Sequence, residues 1–325
     1  MNAREGRRNI VTLGGGTGTF VVLSALKEVP DITLTAVVAS SDDGGSTGQL
    51  RDAYGILPPG DARQALVALA KGNVLRDLFA YRFRKGDMAG HNLGNLFLTA
   101  LTDLLGSDAE ALREASRILR VKGTVLSAAE RSATLTATLE DGTRIIGEHA
   151  IDLREPERSR IREIALVEPV MLSERAEKAI QSADTLILGP GDLYTSTAAV
   201  LLPSGMREAV STSKARLVYV MNLFTKAGQT DGFSARTHIE ELARYAGREP
   251  DVVLMHTGAF PESALARYKG ESEFPVKDDL DDDPRIVRAP LASVEEVEPV
   301  EGDPVPRSLI RHDPGLLCEA LSTLI

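Results

Sequence analysis

Residues 9–39 hold a strand, a glycine-rich loop, a helix and a second strand in succession. No other feature of the 325-residue chain constrains its fold as strongly. Residues 9–13 are a short apolar run ending in glycines, the pattern of a strand buried on both faces. Residues 20–28 carry apolar side chains at helical spacing, and residues 32–39 (ITLTAVVA) are rich in β-branched residues. A βαβ unit brings its two strands parallel, so a parallel sheet is expected. Between the first strand and the helix stand Gly14, Gly15, Gly16, Thr17, Gly18 and Thr19. Such a loop lets backbone N–H groups point outward at a helix N-terminus, whose positive dipole end favours an anion. Thr17 and Thr19 add hydroxyls. The expected ligand group is the phosphate of a nucleotide. No Gly-Lys-Ser/Thr follows, so this is not a Walker A loop. It departs from the dinucleotide fingerprint because Thr19 stands where the third glycine belongs, and an NAD-dependent dehydrogenase is the weaker reading.

The rest of the chain alternates in the same way. Residues 40–61 form a long polar, glycine-bearing connection, a length that favours function over simple linkage. Helical patterning resumes over residues 62–83, after His91 and over residues 109–120. From Gly123 the character changes. Residues 125–148 alternate apolar and polar, and Asp141-Gly142 is a hairpin signal, so residues 123–170 read as an antiparallel β-rich insertion. Helix–strand alternation then returns, with strands at residues 185–188, 217–220 and 251–255, helices near residues 173–182, 206–213 and 237–246, and a closing helix at residues 316–325. The expected architecture is α/β: a Rossmann-like, doubly wound, mostly parallel sheet with an inserted antiparallel subdomain. Residues 1–122 and 171–325 would complete one sheet and one site around the 123–170 insertion.

Four polar loops follow four of these strands, and a doubly wound sheet gathers such loops at one crevice. After the second strand come Asp42, Asp43, Gly44 and Ser46, where a carboxylate can take ribose hydroxyls or hold Mg²⁺ against phosphates. Asp61 opens a helix and has N-cap chemistry, while Arg63 offers a planar guanidinium for phosphate. His91 can donate a proton, and Asn92 or Asn95 can cap a helix or meet a ligand. Gly191, Asp192 and Tyr194 belong to a second glycine turn, and Asn222, Thr225 and Asp231 follow the strand at residues 217–220. If chemistry occurs, Asp43, Asp61 and His91 are the candidates for it. The acidic stretch at residues 277–284 reads as a solvated surface run.

Composition removes several alternatives. The net charge of −10 argues against a general nucleic-acid or anionic-membrane binder. The single cysteine, Cys318, rules out a disulfide framework. No apolar run reaches the length of a membrane span. The polar N-terminus entering a strand predicts no signal peptide, and a cytoplasmic protein is expected.

The segments NIVTLGGGTGT, SSDDGGSTGQLRDAYGILPPGDARQALVALA, GHNLGNLFLTAL, ADTLILGPGDLYTS and VMNLFTKAGQTDGFS occur in this order. Together they resemble the gluconeogenesis factor family (YvcK-like proteins), within the wider 2-phospho-L-lactate transferase-like (CofD-like) group. The LPPGDAR segment points to the gluconeogenesis factors over the transferases. The resemblance implies a cytoplasmic regulator that binds a UDP-sugar, UDP-N-acetylglucosamine foremost, and supports cell shape and growth on gluconeogenic carbon sources. Regulated partner proteins and assembly into a homo-oligomer are expected with it. The alternative is a Mg²⁺-dependent transferase using Asp42 or Asp43. The resemblance also assigns ligand contacts to Tyr268 and Arg311. Asp192 stands where many relatives have serine and Gln229 where many have glutamate.

Overall fold

The computed structural model describes residues 6–154, 159–293 and 310–325. Its main sheet contains seven strands, all paired in parallel. These are β1 (Arg8–Leu13), β2 (Ile32–Val38), β3 (Thr124–Ser127), β7 (Thr185–Leu188), β8 (Arg216–Val220), β9 (Val252–His256) and β10 (Ile286–Ala289). A separate antiparallel sheet holds β4 (Leu135–Leu139), β5 (Arg144–Ile146) and β6 (Ile161–Leu166). The order in the main sheet is β10-β9-β8-β7-β1-β2-β3. The chain winds outward from β1 through β2 to β3, and outward from β7 through β8 and β9 to β10. The winding therefore reverses between β1 and β7, the place where open parallel sheets leave a crevice beyond their carboxyl ends.

Strand periodicity divides the core in two. On one face, Ile10, Leu34, Ala36, Ile187, Val218 and Leu254 pack against α1 (Gly16–Leu26), α3 (Pro59–Leu69) and α12 (Pro314–Ser322). On the other, Val11, Leu13, Val37, Leu188 and Tyr219 meet α8 (Glu174–Gln181), α9 (Met206–Thr212) and α10 (Ala235–Ala246). The small sheet docks on this second face through Leu135, Ala137, Ile161 and Ile164. Each fully buried aliphatic side chain contributes roughly 1.5–3 kcal/mol, so both faces are required for a stable fold.

Three expectations are corrected. The connection at residues 40–61 contains a helix, α2 (Gly45–Tyr54). Its glycines are poor helix formers, but Gly48 lets the helix press on the Asp43 backbone, where a Cβ would come within 2.1 Å of the carbonyl oxygen. The helical pattern at residues 62–83 is two helices, α3 and α4 (Val74–Ala80), with Asn73 capping the second. Finally, the stretch that reads as purely antiparallel begins with β3, which pairs parallel to β2 and closes one edge of the main sheet. Alternation reports one buried face without distinguishing parallel from antiparallel partners. The hairpin at Asp141-Gly142 forms as expected between β4 and β5, with Gly142 at φ +87°. The acidic stretch near residue 280 is solvated and partnered: Asp278 pairs with Arg288 and Asp283 with Arg285.

The remaining helices are α5 (Leu93–Leu105) and α6 (Asp108–Leu119), α7 (Glu148–Asp152) between β5 and β6, and α11 (Glu262–Gly270) after β9.

Candidate functional site

A cleft of about 1020 Å³ opens at the carboxyl ends of the central strands. Gly16, Thr17 and Gly18 of the first turn of α1 form its floor. Gly16 sits at φ +63°, a conformation in which glycine avoids a steric cost. Its N–H donates to Asp61 Oδ1 at 2.8 Å. Asp61 therefore does not cap its own helix α3; it reaches across and places an anionic oxygen on the α1 terminus.

Asp42 lies beside it. Its carboxylate accepts from the Gly44 N–H at 3.0 Å and faces Thr47 and Gly60. Burial pushes the Asp61 carboxyl up to about 7, and the charge of Asp42 adds to the rise. Asp42 is raised by burial as well. Arg63, two residues beyond Asp61 along α3, lowers both. The Arg63 guanidinium is held by Nε donation to Asn95 Oδ1 at 2.9 Å. Asn95 in turn lies near Ser46 Oγ and Thr47 Oγ1 at 3.5 and 3.4 Å. Asn92 is the N-cap of α5, accepting from Gly94 and Asn95 N–H groups.

The wall on the β7–β8 side is built from Gly191, Asp192, Asn222 and Thr225. Asn222 joins the two loops, donating to Gly191 O at 2.6 Å and accepting from Tyr219 OH. Burial raises Asp192 to about 7, with Lys226 opposing and Asp152 and Glu273 adding to the rise. Phe224 stacks on Tyr268 with centroids 3.9 Å apart, and Tyr268 OH accepts from the Ile310 N–H. Arg311 and His312 line the cleft next to them.

Of the expected site residues, Gly16, Thr17, Gly18, Asp42, Gly44, Ser46, Asp61, Arg63, Asn92, Asn95, Gly191, Asp192, Asn222, Thr225, Tyr268 and Arg311 line the cleft. Six expected residues do not. Gly15 lies beneath the floor, against the Asp61 carboxylate. Thr19 is buried in the second turn of α1. Tyr194 points into the core and donates to Glu241. His91 stands behind Ser46, with Nδ1 at 3.1 Å from its hydroxyl. Asp231 sits within the turn closed by the Phe233 N–H donating to Thr230 O, outside the cleft lining. Asp43 commits both carboxylate oxygens elsewhere: it accepts from the backbone N–H groups of Glu148 and His149, at 3.2 and 2.8 Å. It thereby caps α7 of the insertion, and the pair of carboxylates facing the floor is Asp42 with Asp61.

The residues missed from sequence come mainly from that helix. Glu148, His149 and Asp152 all line the cleft, and five residues carry too little periodicity to read as a helix. Asp152 accepts from Gln229 Nε2 at 3.2 Å. Burial, followed by Asp42 and other carboxylates, raises Glu148 well above the usual range. Lys226 and Glu273, 3.5 Å apart, were also unmarked. Asp43→Ala should therefore loosen the insertion, costing about 1–2 kcal/mol through lost capping. Hydrogen exchange should speed up over residues 144–152 while α1 stays protected. Unchanged exchange there would refute the tether.

His312 gives a pH signature. Burial, with His256 nearby, lowers its imidazole to about 4. A base with a depressed native pKa stabilises the fold fully above its unfolded value near 6.5 and loses that contribution as pH falls toward 4. The loss is roughly 3 kcal/mol. Urea midpoints of wild type and His312→Asn, compared from pH 7 to 4.5, should converge as the pH drops. A constant gap would contradict the assignment.

This arrangement, a doubly wound parallel sheet with a glycine-floored cleft at its switch point, defines a Rossmann-like α/β protein. Residues 10–294 match the family described as 2-phospho-L-lactate transferase CofD, and the chain belongs to that family. Its relatives there are gluconeogenesis factors. It is 37% identical to the gluconeogenesis factor of Halalkalibacterium halodurans over 320 residues, 97% of this chain and 96% of that one. It is 40% identical to the gluconeogenesis factor of Bacillus subtilis over 279 residues, 84% of this chain and 86% of that one. The crystal structure of a UPF0052 family member from Bacillus halodurans superposes with a TM-score of 0.87 at 35% identity, covering 97% of this chain and 99% of the other. Among the described residues no helix is long and apolar enough to cross a membrane.

Proposed function

We propose that the cleft binds a nucleoside diphosphate sugar, UDP-N-acetylglucosamine foremost, and that the chain acts as a cytoplasmic regulator of gluconeogenic growth and cell shape through partner proteins. The observation carrying the reading is the seat at Gly16, where an N–H of the α1 terminus already donates to a carboxylate oxygen of Asp61. A diphosphate suits this floor, with Arg63 as a further partner. The volume of the cleft is at the upper end of that for small-molecule sites. Mg²⁺ suits the same place. Asp42 and Asp61 are two half-buried carboxylates whose charges repel one another. Mg²⁺ is commonly held by one or two carboxylates together with substrate phosphates. Among the described residues no set of three or more His, Cys, Asp or Glu side chains could hold a metal ion by itself, so phosphate oxygens would complete the shell.

A second reading, a transferase of the 2-phospho-L-lactate type, is favoured by Asp61, whose carboxyl at about 7 suits proton transfer near neutral pH. Calorimetry with UDP-N-acetylglucosamine, with and without Mg²⁺, separates the two. At a hundredfold excess over Kd the ligand should stabilise the fold by about 2.7 kcal/mol, with no product released. Turnover of a lactyl-diphosphoguanosine donor and a deazaflavin acceptor would establish the transferase instead. The absence of binding and of turnover would exclude both.

A further inference from the structure

The cleft extends past the phosphate floor into a basic mouth. The segment between α4 and α5 folds back on itself: Arg82 bridges to Asn92, and the Phe83 N–H donates to His91 O at 2.9 Å. Strand-like alternation here turns Arg82 and Arg84 to the same side, and both line the cleft together with Ala89 and Gly90. Arg82 Nη1 donates to Gly90 O at 2.8 Å, which fixes its direction. Among the described residues neither Arg82 nor Arg84 has a carboxylate within ion-pair distance. Arg76, which also lines the cleft, has Asp77 at 3.7 Å.

Two cationic side chains thus face the cleft in a chain whose net charge is −10. Some surface guanidinium groups are paired with carboxylates, as at Arg244, Arg285 and Arg288, whereas Arg82 and Arg84 face the cleft. The mouth adjoins Asn92 and lies apart from Tyr268 and Arg311. It stands on the β2 side of the switch point, whereas Tyr268 and Arg311 belong to the β9 and β10 side. A diphosphate on Gly16–Gly18 lies between the two ends.

We propose that Arg82 and Arg84 seat a second anionic group, a carboxylate or an esterified acid on the sugar. Between two nucleoside diphosphate sugars otherwise alike, the cleft would thereby favour the one that carries the extra anion. This rests on the nucleotide-sugar reading of the floor. Two forked guanidiniums match such a group in geometry as well as charge, which distinguishes a seat from diffuse attraction.

The experiment compares UDP-glucuronate with UDP-glucose, and UDP-N-acetylgalactosamine 4-sulfate with its unsulfated parent, by calorimetry at physiological salt. In the wild type the acidic member of at least one pair should bind about tenfold tighter, the scale of one charge-assisted hydrogen bond. The carboxylate and sulfate arms tell planar from tetrahedral recognition. In R82Q/R84Q the preference should vanish while the neutral sugar keeps its affinity within about twofold, a difference under 0.5 kcal/mol. Arg84 is exposed, so R84Q alone keeps the fold and should remove part of the preference. Equal wild-type affinities in both pairs would overturn the proposal. So would a parallel loss of neutral and acidic sugars in the double variant. If no member of either pair binds the wild type, the nucleotide-sugar reading fails first and this proposal falls with it.

Discussion

Gly18→Ala should destabilise the protein by at least about 4 kcal/mol, or prevent cooperative folding altogether. A Cβ at Gly18 falls 1.3 Å from the Pro190 carbonyl oxygen and 2.3 Å from its carbon. That neighbour is backbone and cannot rotate away. It is also held, since Thr197 Oγ1 and Asn222 Nδ2 both fix the loop through its carbonyls. Relief would require α1 to separate from the β7 loop across the centre of the sheet. Ordinary overpacking by a methylene costs roughly 1–3 kcal/mol, and here the clash joins two main chains. Gly45→Ala is the control: its φ of +47° imposes strain, but nothing lies within 4 Å of the added methyl, so about 1–2 kcal/mol is expected. Urea denaturation of both variants decides the matter. A Gly18 variant no less stable than the Gly45 variant would refute the close approach.

Asp61→Asn should have the opposite sign for stability and a large negative effect on binding. A carboxyl raised from its ordinary value to about 7 favours the folded state at low pH, and that benefit is lost as pH rises from about 4 to 7. Above pH 7 the ionised Asp61 is therefore a cost on the fold, of the order of 4 kcal/mol, and it comes from burial and from Asp42. Asparagine removes the charge and retains an oxygen for the Gly16 N–H. The variant should melt several degrees higher than wild type at pH 8 and show little difference at pH 5. It should also lose the Mg²⁺-dependent part of nucleotide-sugar affinity, a trade of function for stability. A variant less stable than wild type at pH 8 would contradict the raised carboxyl.

The sheet was legible because its strands are short, apolar and followed by glycine turns, and because β-branched runs such as Ile32–Val38 admit few other readings. The floor of the cleft was legible for the same reason: Gly16 to Gly18 announce a backbone approach. What stayed hidden depended on partners distant in sequence. Asp43 and Asp61 are both polar residues near loops, yet one caps a helix 105 residues away and the other crosses 45 residues to Gly16. Tyr194 follows the glycine turn as a ligand residue would, but its ring enters the core. Residues 193–197 form a single π-helical turn, which rotates the side chains away from ordinary helical spacing. The five-residue α7 is stabilised by Asp43 and not by its own propensity. Tyr268 and Arg311 carried no local signal, and only the resemblance to relatives marked them.

The position of β1 has a consequence for biosynthesis. β1 lies against β2 on one side and β7 on the other, and the β1–β7 pairing joins Ile10 to Thr185. While the ribosome has released only the first half of the chain, one long edge of β1 has no neighbour. Parallel pairing across such a separation forms slowly, and an open apolar edge invites association with other chains. A nascent chain stalled before β7 emerges should thus depend on chaperones and aggregate when released without them. The same arrangement means that neither half should survive alone as a soluble fragment, although co-expressed halves could complete the sheet.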